Sequence, residues 1–372
     1  MSQEDIRIFK NFTLRKLREK VGDIKSQLPE DNRNLITYSK NFTLSLSNYC
    51  QNFCGYCFYN YRIPKIGKGN VVLLGSEQIK ELIQMSLLYK CKEALIMSGE
   101  KADEFREVKD ELKKRDFDNF IEFVTDISIY LLEFNLLPHT NIGILNFDEL
   151  KHLKNYNASM GLMLESTSLK LFEKGGVHER SPGKIPELRI QHINNAGKLK
   201  IPFTTGLLLG IGESLDDRIK DLYLIKEIHD SYGHIQEVII QNFIEKPGIP
   251  YNPKKAIKIE DILRVVGIAK IIFKNEIAIQ VPPNLISGYE KEFIEMGIDD
   301  FGGISPITFD YINPENQWPQ INEIKNICES NGYLLKERLP IYDKYIKKKG
   351  FCSENIKKTI DNININDGFS DV

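Results

Sequence analysis

From residue 37 onward the chain repeats one local pattern: a short apolar run, a turn, then about ten to fifteen residues with the apolar spacing of a helix. Residues 37–47 open the series. They alternate polar and apolar side chains, so that Phe42, Leu44 and Leu46 share one side, which is the period of a strand. The spacing then predicts helices over 77–90, 117–135, 147–154, 186–197, 214–231, 259–274, 284–296 and 320–331. Strands are predicted over 94–97, 137–144, 159–164, 203–209, 235–243, 277–281 and 301–305. Strands that alternate with helices build a parallel sheet, because each helix carries the chain back to the start of the next strand. Eight such units predict an α/β fold of the (β/α)8 TIM-barrel type, closed rather than open.

Residues 1–36 read as an N-terminal helical extension, with Ile6, Phe9, Leu14, Leu17 and Val21 at helical spacing, packed outside the core. Residues 37–345 form the barrel domain. Residues 346–372, polar and rich in Asn and Ile after Lys347-Lys348-Lys349, form a C-terminal tail that caps the barrel or stays loosely ordered. Of the 372 residues 41% are hydrophobic and 27% charged, enough for a sizeable core. A net charge of -2 gives no pull toward nucleic acid or an anionic membrane, so the expected partner is a small-molecule substrate. The start of the chain lacks a basic stretch followed by an apolar core, and no apolar run nears the roughly 18 residues of a membrane span. The expected location is cytoplasmic.

Six cysteines are present, and three of them crowd into Cys50-Gln51-Asn52-Phe53-Cys54-Gly55-Tyr56-Cys57, directly after the first predicted strand. Thiolates hold iron-sulfur clusters. At the spacing C-x3-C-x2-C, three of them can grip three irons of a cubane and leave the fourth iron open. A structural zinc site is the alternative, and it needs a fourth ligand from Cys91, Cys328, Cys352 or a histidine. Zinc ribbons pair two cysteine knuckles, whereas one is present here. In a barrel, function gathers on loops after the C-terminal strand ends. Ser98-Gly99-Glu100, Glu165, Gly210-Ile211-Gly212-Glu213, Gln241-Asn242 and Pro282-Pro283-Asn284 fall at such ends and Gly302-Gly303 in the eighth strand, all on the same rim as the cysteine loop. His178 lies in the polar stretch 178–184, where a histidine that titrates near neutrality suits proton transfer.

Cys50, Cys54, Tyr56 and Cys57 match C-x3-C-x-aromatic-C, and the chain resembles the radical S-adenosylmethionine (SAM) superfamily. The resemblance implies a [4Fe-4S] cluster on the three cysteines, with SAM chelated to the open iron. One electron from an external donor then cleaves SAM to a 5'-deoxyadenosyl radical that abstracts hydrogen from substrate. It further implies roles for rim residues. Ser98, Gly99 and Glu100 meet the methionine ammonium, Glu165 the SAM ribose, Arg189 the SAM carboxylate, and Tyr56, Gly210 and Gly212 the adenine.

Longer strings narrow the likeness: 161–166 (GLMLES), 178–184 (HERSPGK), 201–213 (IPFTTGLLLGIGE), 233–243 (GHIQEVIIQNF), 282–285 (PPNL) and 302–308 (GGISPIT). Over about residues 37–345 they resemble the ring-closing deazaflavin synthases of coenzyme F(420) biosynthesis. That likeness implies a lyase acting on a hydroxybenzyl-ribityluracil adduct, which a companion radical SAM subunit makes from tyrosine. Thr204, Thr205, Gln241, Asn242 and Asn284 would then contact the substrate, and His178 would be catalytic. Phe301 stands where that family is expected to carry tryptophan. The tyrosine-using partner subunit, an aminofutalosine-type cyclase and, in another class, a zinc-stabilised binding protein are the alternatives.

Overall fold

The computed structural model describes residues 3–63, 70–253 and 255–367; the last five residues of the predicted tail lie outside that range. Eight parallel strands form the wall: β1 (Leu35–Ser45), β2 (Glu93–Met97), β3 (Leu137–Asn141), β4 (Ser159–Gly161), β5 (Phe203–Leu209), β6 (Ile235–Asn242), β7 (Ala278–Gln280) and β8 (Asp300–Ile304). They pair in sequence order, and β1 bonds to both β8 and β2, so the sheet closes on itself as expected from the eight-unit rhythm. Helices Ser76–Leu88, Phe120–Glu133, Phe147–Leu153, Pro186–Lys198, Leu215–Tyr232, Ile259–Phe273, Glu290–Glu295 and Ile321–Ser330 follow the strands in turn.

Differences from the sequence expectation have local causes. The predicted helix over 284–296 divides into a short turn, Pro283–Leu285, and helix Glu290–Glu295. Gly288, at φ +86°, stands between them and turns the chain out of the helical path. Helix Arg106–Lys114 was not foreseen, because only Val108 and Leu112 of its nine residues are buried. The N-terminal extension holds the short helix Glu30–Arg33 and, before it, two longer helices, Gln3–Asn11 and Leu14–Lys25, the second capped by the Thr13 side chain. They do not lie outside the core: Ile6, Phe9 and Leu17 belong to it. Gly267 permits the approach, since a Cβ there would sit 3.1 Å from Leu17 Cβ and 2.8 Å from Met296 Sδ.

A ninth strand, β9 (Leu334–Glu337), also escaped the sequence pattern; it pairs with the first residues of β1, below the point where β2 begins. The chain after β9 crosses the N-terminal end of the barrel. Ser159 Oγ and Gln236 Nε2 both donate to Pro340 O, at 2.7 and 2.8 Å. Tyr345, almost wholly buried, donates to Ile235 O at 2.9 Å. Phe351, Ile356, Ile360 and Ile363 then pack with Leu137, Ala158, Leu339 and Ile341 in a second apolar cluster. Helix Glu354–Asp367 supplies three of those isoleucines, so this part of the tail is a structured cap.

Arg338 sits where β9 leaves the wall. Its guanidinium donates to both carboxylate oxygens of Asp300, at 2.6 and 2.8 Å, and to Glu237 Oε2 at 2.8 Å, with all three side chains buried. Removing one partner of such a group strands buried charge. Arg338→Met is therefore expected to cost about 3–5 kcal/mol, the range for an unpaired buried ion, read as a lower denaturant midpoint.

Candidate active site

The cysteine loop leaves β1 at the C-terminal rim and is held by a second loop, residues 177–184. Gly55 N donates to Val177 O and Phe53 N to Arg180 O, both at 2.8 Å; Gly183 N donates to Asn52 Oδ1 at 2.7 Å. Ser181 Oγ donates to Cys54 Sγ at 3.3 Å, and Glu100 N to Cys50 Sγ at 3.2 Å. The Arg180 guanidinium covers the Phe53 ring at 4.4 Å. Cys50, Cys54 and Cys57 are free thiols lining one cavity of about 380 Å³. Burial, reinforced by the neighbouring sulfurs, pushes the Cys50 thiol up to about 12. Only a strong positive centre would make three adjacent thiolates favourable. Among the described residues no three His, Cys, Asp or Glu gather around the position of a single ion.

Glu100 ties this loop to the wall. Its Oε1 accepts from Gln51 Nε2 and Asn52 Nδ2, at 2.8 and 2.9 Å, and its Oε2 from Ile144 N at 3.1 Å. Burial alone would raise its pKa, but Arg189 and the Asn52 and Gln51 amides outweigh that and hold it below the ordinary range. Two glycines make room for it: a Cβ on Gly183 would fall 1.4 Å from Oε1, and one on Gly143 2.3 Å from Cγ. Gly99 is equally constrained, with its Cβ position 2.0 Å from Tyr49 O. Arg189 lies 4.0 Å from Glu100 through Nη2, is 3% exposed and lines the cavity, while its Nε and Nη1 have no protein partner. A buried guanidinium with two unused donors is a seat for a carboxylate.

Tyr56, Ser98, Gly99, Glu100, Glu165, Arg189, Thr204, Gln241 and Asn242 line the same cavity. Glu165 is paired with Lys184 at 2.6 Å, and its φ of +64° is uncommon outside glycine. The segment is pinned there by Glu165 N to Gly206 O and Leu208 N to Glu165 O, at 2.9 and 3.2 Å. Asn242 Oδ1 has no protein partner.

Five predicted site residues stand off the cavity wall. His178 sits behind Tyr56, its Nε2 3.1 Å from the phenol oxygen, and is 1% exposed. Burial first, then Lys184 and Arg189, lower its pKa to about 2. Its imidazole is thus neutral at physiological pH and does not titrate near neutrality as the sequence suggested. Gly210 and Gly212, at φ +90° and +117°, shape a turn whose amides bond to Glu213: Gly210 N at 2.7 Å and Ile211 N at 2.8 Å. Thr205 is wholly buried on the alternate face of β5 from Thr204. Asn284 donates to Asp310 Oδ2 and Asn316 O, at 3.0 and 3.2 Å, and holds the segment after β8 in place.

Sequence reasoning missed the inward faces of the strands. Asn41, Thr43, Glu93, His139, Asn141, Glu237, Gln280 and Arg338 line the cavity below the rim, and Lys246, Asp310, Asn313 and Trp318 line it near the mouth. Gly302 and Gly303 belong to this story: a Cβ on either would fall 1.9 Å from Gln280 Nε2 or 2.1 Å from Asn41 Nδ2. The available signal was the period-two polar series Ser39, Asn41, Thr43, Ser45 in β1 and the lone carboxylates Glu93 and Glu237 in apolar strands.

A family model for the radical SAM superfamily matches residues 44–225. The 7,8-didemethyl-8-hydroxy-5-deazariboflavin synthase of Methanocaldococcus jannaschii is 46% identical over 363 residues, 97% of this chain and 98% of that protein. The enzyme of the same name from Methanococcus maripaludis is 45% identical over 356 residues, 95% and 98% of the two chains. Among solved structures, HydG, a maturase of the [FeFe]-hydrogenase, matches with a TM-score of 0.71 at 17% identity. The match covers 90% of this chain and 73% of that one, a likeness of fold alone.

Barrel, cysteine loop and family model define a radical SAM enzyme, of a superfamily that uses a [4Fe-4S] cluster and SAM. The residues present fit both groups: three thiols facing one cavity for the cluster, and the unpaired Arg189 donors for the SAM carboxylate. Within that superfamily the chain belongs to the 7,8-didemethyl-8-hydroxy-5-deazariboflavin synthase family. A zinc-stabilised binding protein is thereby set aside.

Cys54→Ala is expected to abolish both the visible charge-transfer absorbance of the reconstituted cluster and SAM cleavage. Gly183→Ala should lose cluster occupancy as well without touching a cysteine, since its methyl displaces Glu100; iron and sulfide analysis checks it. Arg189→Lys keeps the charge but not the fork. It should raise the SAM concentration for half-maximal cleavage about tenfold or more, one charge-assisted hydrogen bond being worth about 1.5–3 kcal/mol.

Proposed function

We propose that this chain closes the deazaflavin ring. It would convert 5-amino-5-(4-hydroxybenzyl)-6-(D-ribitylimino)-5,6-dihydrouracil to 7,8-didemethyl-8-hydroxy-5-deazariboflavin in coenzyme F(420) biosynthesis, with release of ammonia, methionine and 5'-deoxyadenosine. The observation that carries this reading is the near-full-length identity with relatives named for that synthesis. The cluster and SAM supply, when bound, a one-electron cleavage that lets a carbon-centred radical take hydrogen from the substrate.

The chain's own residues supply the rest. Cys50, Cys54 and Cys57 hold the cluster, and Arg189 holds the SAM carboxylate in a fixed direction. Tyr56, braced by the neutral His178, forms the wall beside them, so His178 acts through Tyr56 as a positioning residue. The Glu165–Lys184 pair flanks the SAM pocket. Along the wall, Asn141, Gln241, Asn242 and Gln280 offer amide donors and acceptors at several heights, which suits the alternating carbonyl and N–H edge of a uracil. Walls this deep keep water and stray hydrogen donors from the reacting carbon. The reading includes a companion subunit that delivers the adduct and an external one-electron donor, in the cytoplasm. No helix among the described residues is long and apolar enough to cross a membrane.

Reconstituted, reduced protein given SAM and the hydroxybenzyl adduct should form fluorescent deazaflavin with stoichiometric 5'-deoxyadenosine. Accumulation of 5'-deoxyadenosine from tyrosine and the ribitylaminouracil, with the adduct ignored, would assign the chain to the tyrosine-using step instead.

A further inference from the structure

The cavity does not stop at the rim. It continues down the barrel axis past Leu95 and Ile239 to Glu93, His139, Glu237, Arg338 and Pro340. Glu93 and Met97 are the first and last residues of β2, and both line the cavity, so its depth along the wall is about 13 Å at the rise of a strand. That exceeds what SAM at the mouth requires.

The chemistry of the floor is one-sided. Ser159 has one hydroxyl proton and donates it to Pro340 O at 2.7 Å. The His139 Nδ1 that lies 2.6 Å from Ser159 Oγ must then be the donor of that bond. His139 is therefore the Nδ1-protonated tautomer, and its Nε2 is a bare acceptor. Burial, then Arg338, lowers its pKa to about 3, so it stays neutral. Glycine at 161 leaves the space beside this nitrogen open, since a Cβ there would lie 2.9 Å from Nε2. Asn41, 5% exposed, lines the cavity with an Oδ1 that has no protein partner. Asn41 pairs in register with Glu93, whose carboxyl also faces the cavity and is pushed up to about 7 by burial. Glu237 accepts from Thr204, Arg338 and Tyr342 and adds a second carboxyl. Arg338, the one cation of this layer, is already committed to Asp300, Glu237 and Leu339 O. The floor thus presents mainly acceptors, beside one remaining N–H of Arg338 Nη1 and the Asn41 amide, and the Arg338 charge is already answered by Asp300 and Glu237. Its complement is a neutral group that carries several O–H donors in a row.

We infer that the lower half of the barrel cavity is the subsite for the polyhydroxyl chain of the substrate, bound by Glu93, His139 Nε2 and Asn41 Oδ1, with Arg338 as the positioning residue. This rests on the ring-closure reading for the identity of the chain, a ribityl group. It sets the direction of binding: hydroxyls down, uracil among the mid-wall amides, benzyl ring toward the cysteine loop.

The test compares two probes on cluster-loaded protein with SAM present: a uracil bearing the ribitylamino chain, and the same uracil bearing a methylamino group. Calorimetry should give at least about tenfold tighter binding of the ribityl probe, the size of one or two ordinary hydrogen bonds. Glu93→Leu and Asn41→Leu should each cut that ratio severalfold while leaving the methylamino affinity and the cluster absorbance in place. Equal affinity of the two probes in the unmodified protein overturns the subsite, whether or not any variant folds. A parallel loss of both affinities in the two variants overturns the assignment of these residues. Failure of the underlying reading looks different: a protein that prefers the ribityl probe but makes no deazaflavin from the adduct keeps the subsite and loses the reaction.

Discussion

The carboxylate of Glu100 is the point on which the site depends. It is buried beside the cysteine loop, and burying a carboxylate is costly unless it is paired and hydrogen-bonded. Its bonds reach three segments distant in sequence: Gln51 and Asn52 of the cysteine loop, Ile144 after β3, and Arg189 in the helix after β4. Gly143 and Gly183 are the residues that let those segments come so close. The loop that holds three sulfurs is thus referenced to the barrel wall through one ionised group, and the same group orients Arg189. The cysteine loop and the Arg189 guanidinium are positioned from a common origin, which is what a reaction controlled by distance and direction requires.

The loop over 177–184 supplies the other half of that arrangement. It contributes backbone acceptors to Gly55 and Phe53, a hydroxyl to Cys54, and Lys184 to Glu165. In the sequence its histidine drew attention as a proton-transfer group. In the fold the histidine is a buried brace behind Tyr56, and the ordinary-looking Gly183 and Ser181 make the contacts that hold the cysteine loop. A titratable residue in a polar stretch says little about its role until its burial is known, because desolvation decides its charge.

The barrel was legible because period two and period 3.6 alternate strictly along most of the chain, and eight units leave few topologies. The cysteines were legible because no other residue type has their chemistry at that spacing. What stayed hidden was whatever depends on a partner remote in sequence. Glu93 and Glu237 look like stray charges in apolar strands, and only closure of the barrel places them on one floor. Residues 334–337 carry too short an apolar pattern to announce β9, whose strand state comes from pairing with β1. The Gly302–Gly303 pair read simply as part of the eighth strand; in space it is the room that Gln280 and Asn41 occupy.

The crossing segment after β9 has a kinetic consequence. With Pro340 and Arg338 across one end and the second apolar cluster beneath them, the cavity is a well rather than a channel. Its mouth is the ground shared by the cysteine loop and Arg189. An occupant of the bottom therefore enters and leaves by one end, past the cysteine loop and Arg189 on one side and Lys246, Asp310 and Trp318 on the other. The well makes the rim a shared doorway, so any group seated there narrows the path of whatever lies beneath it.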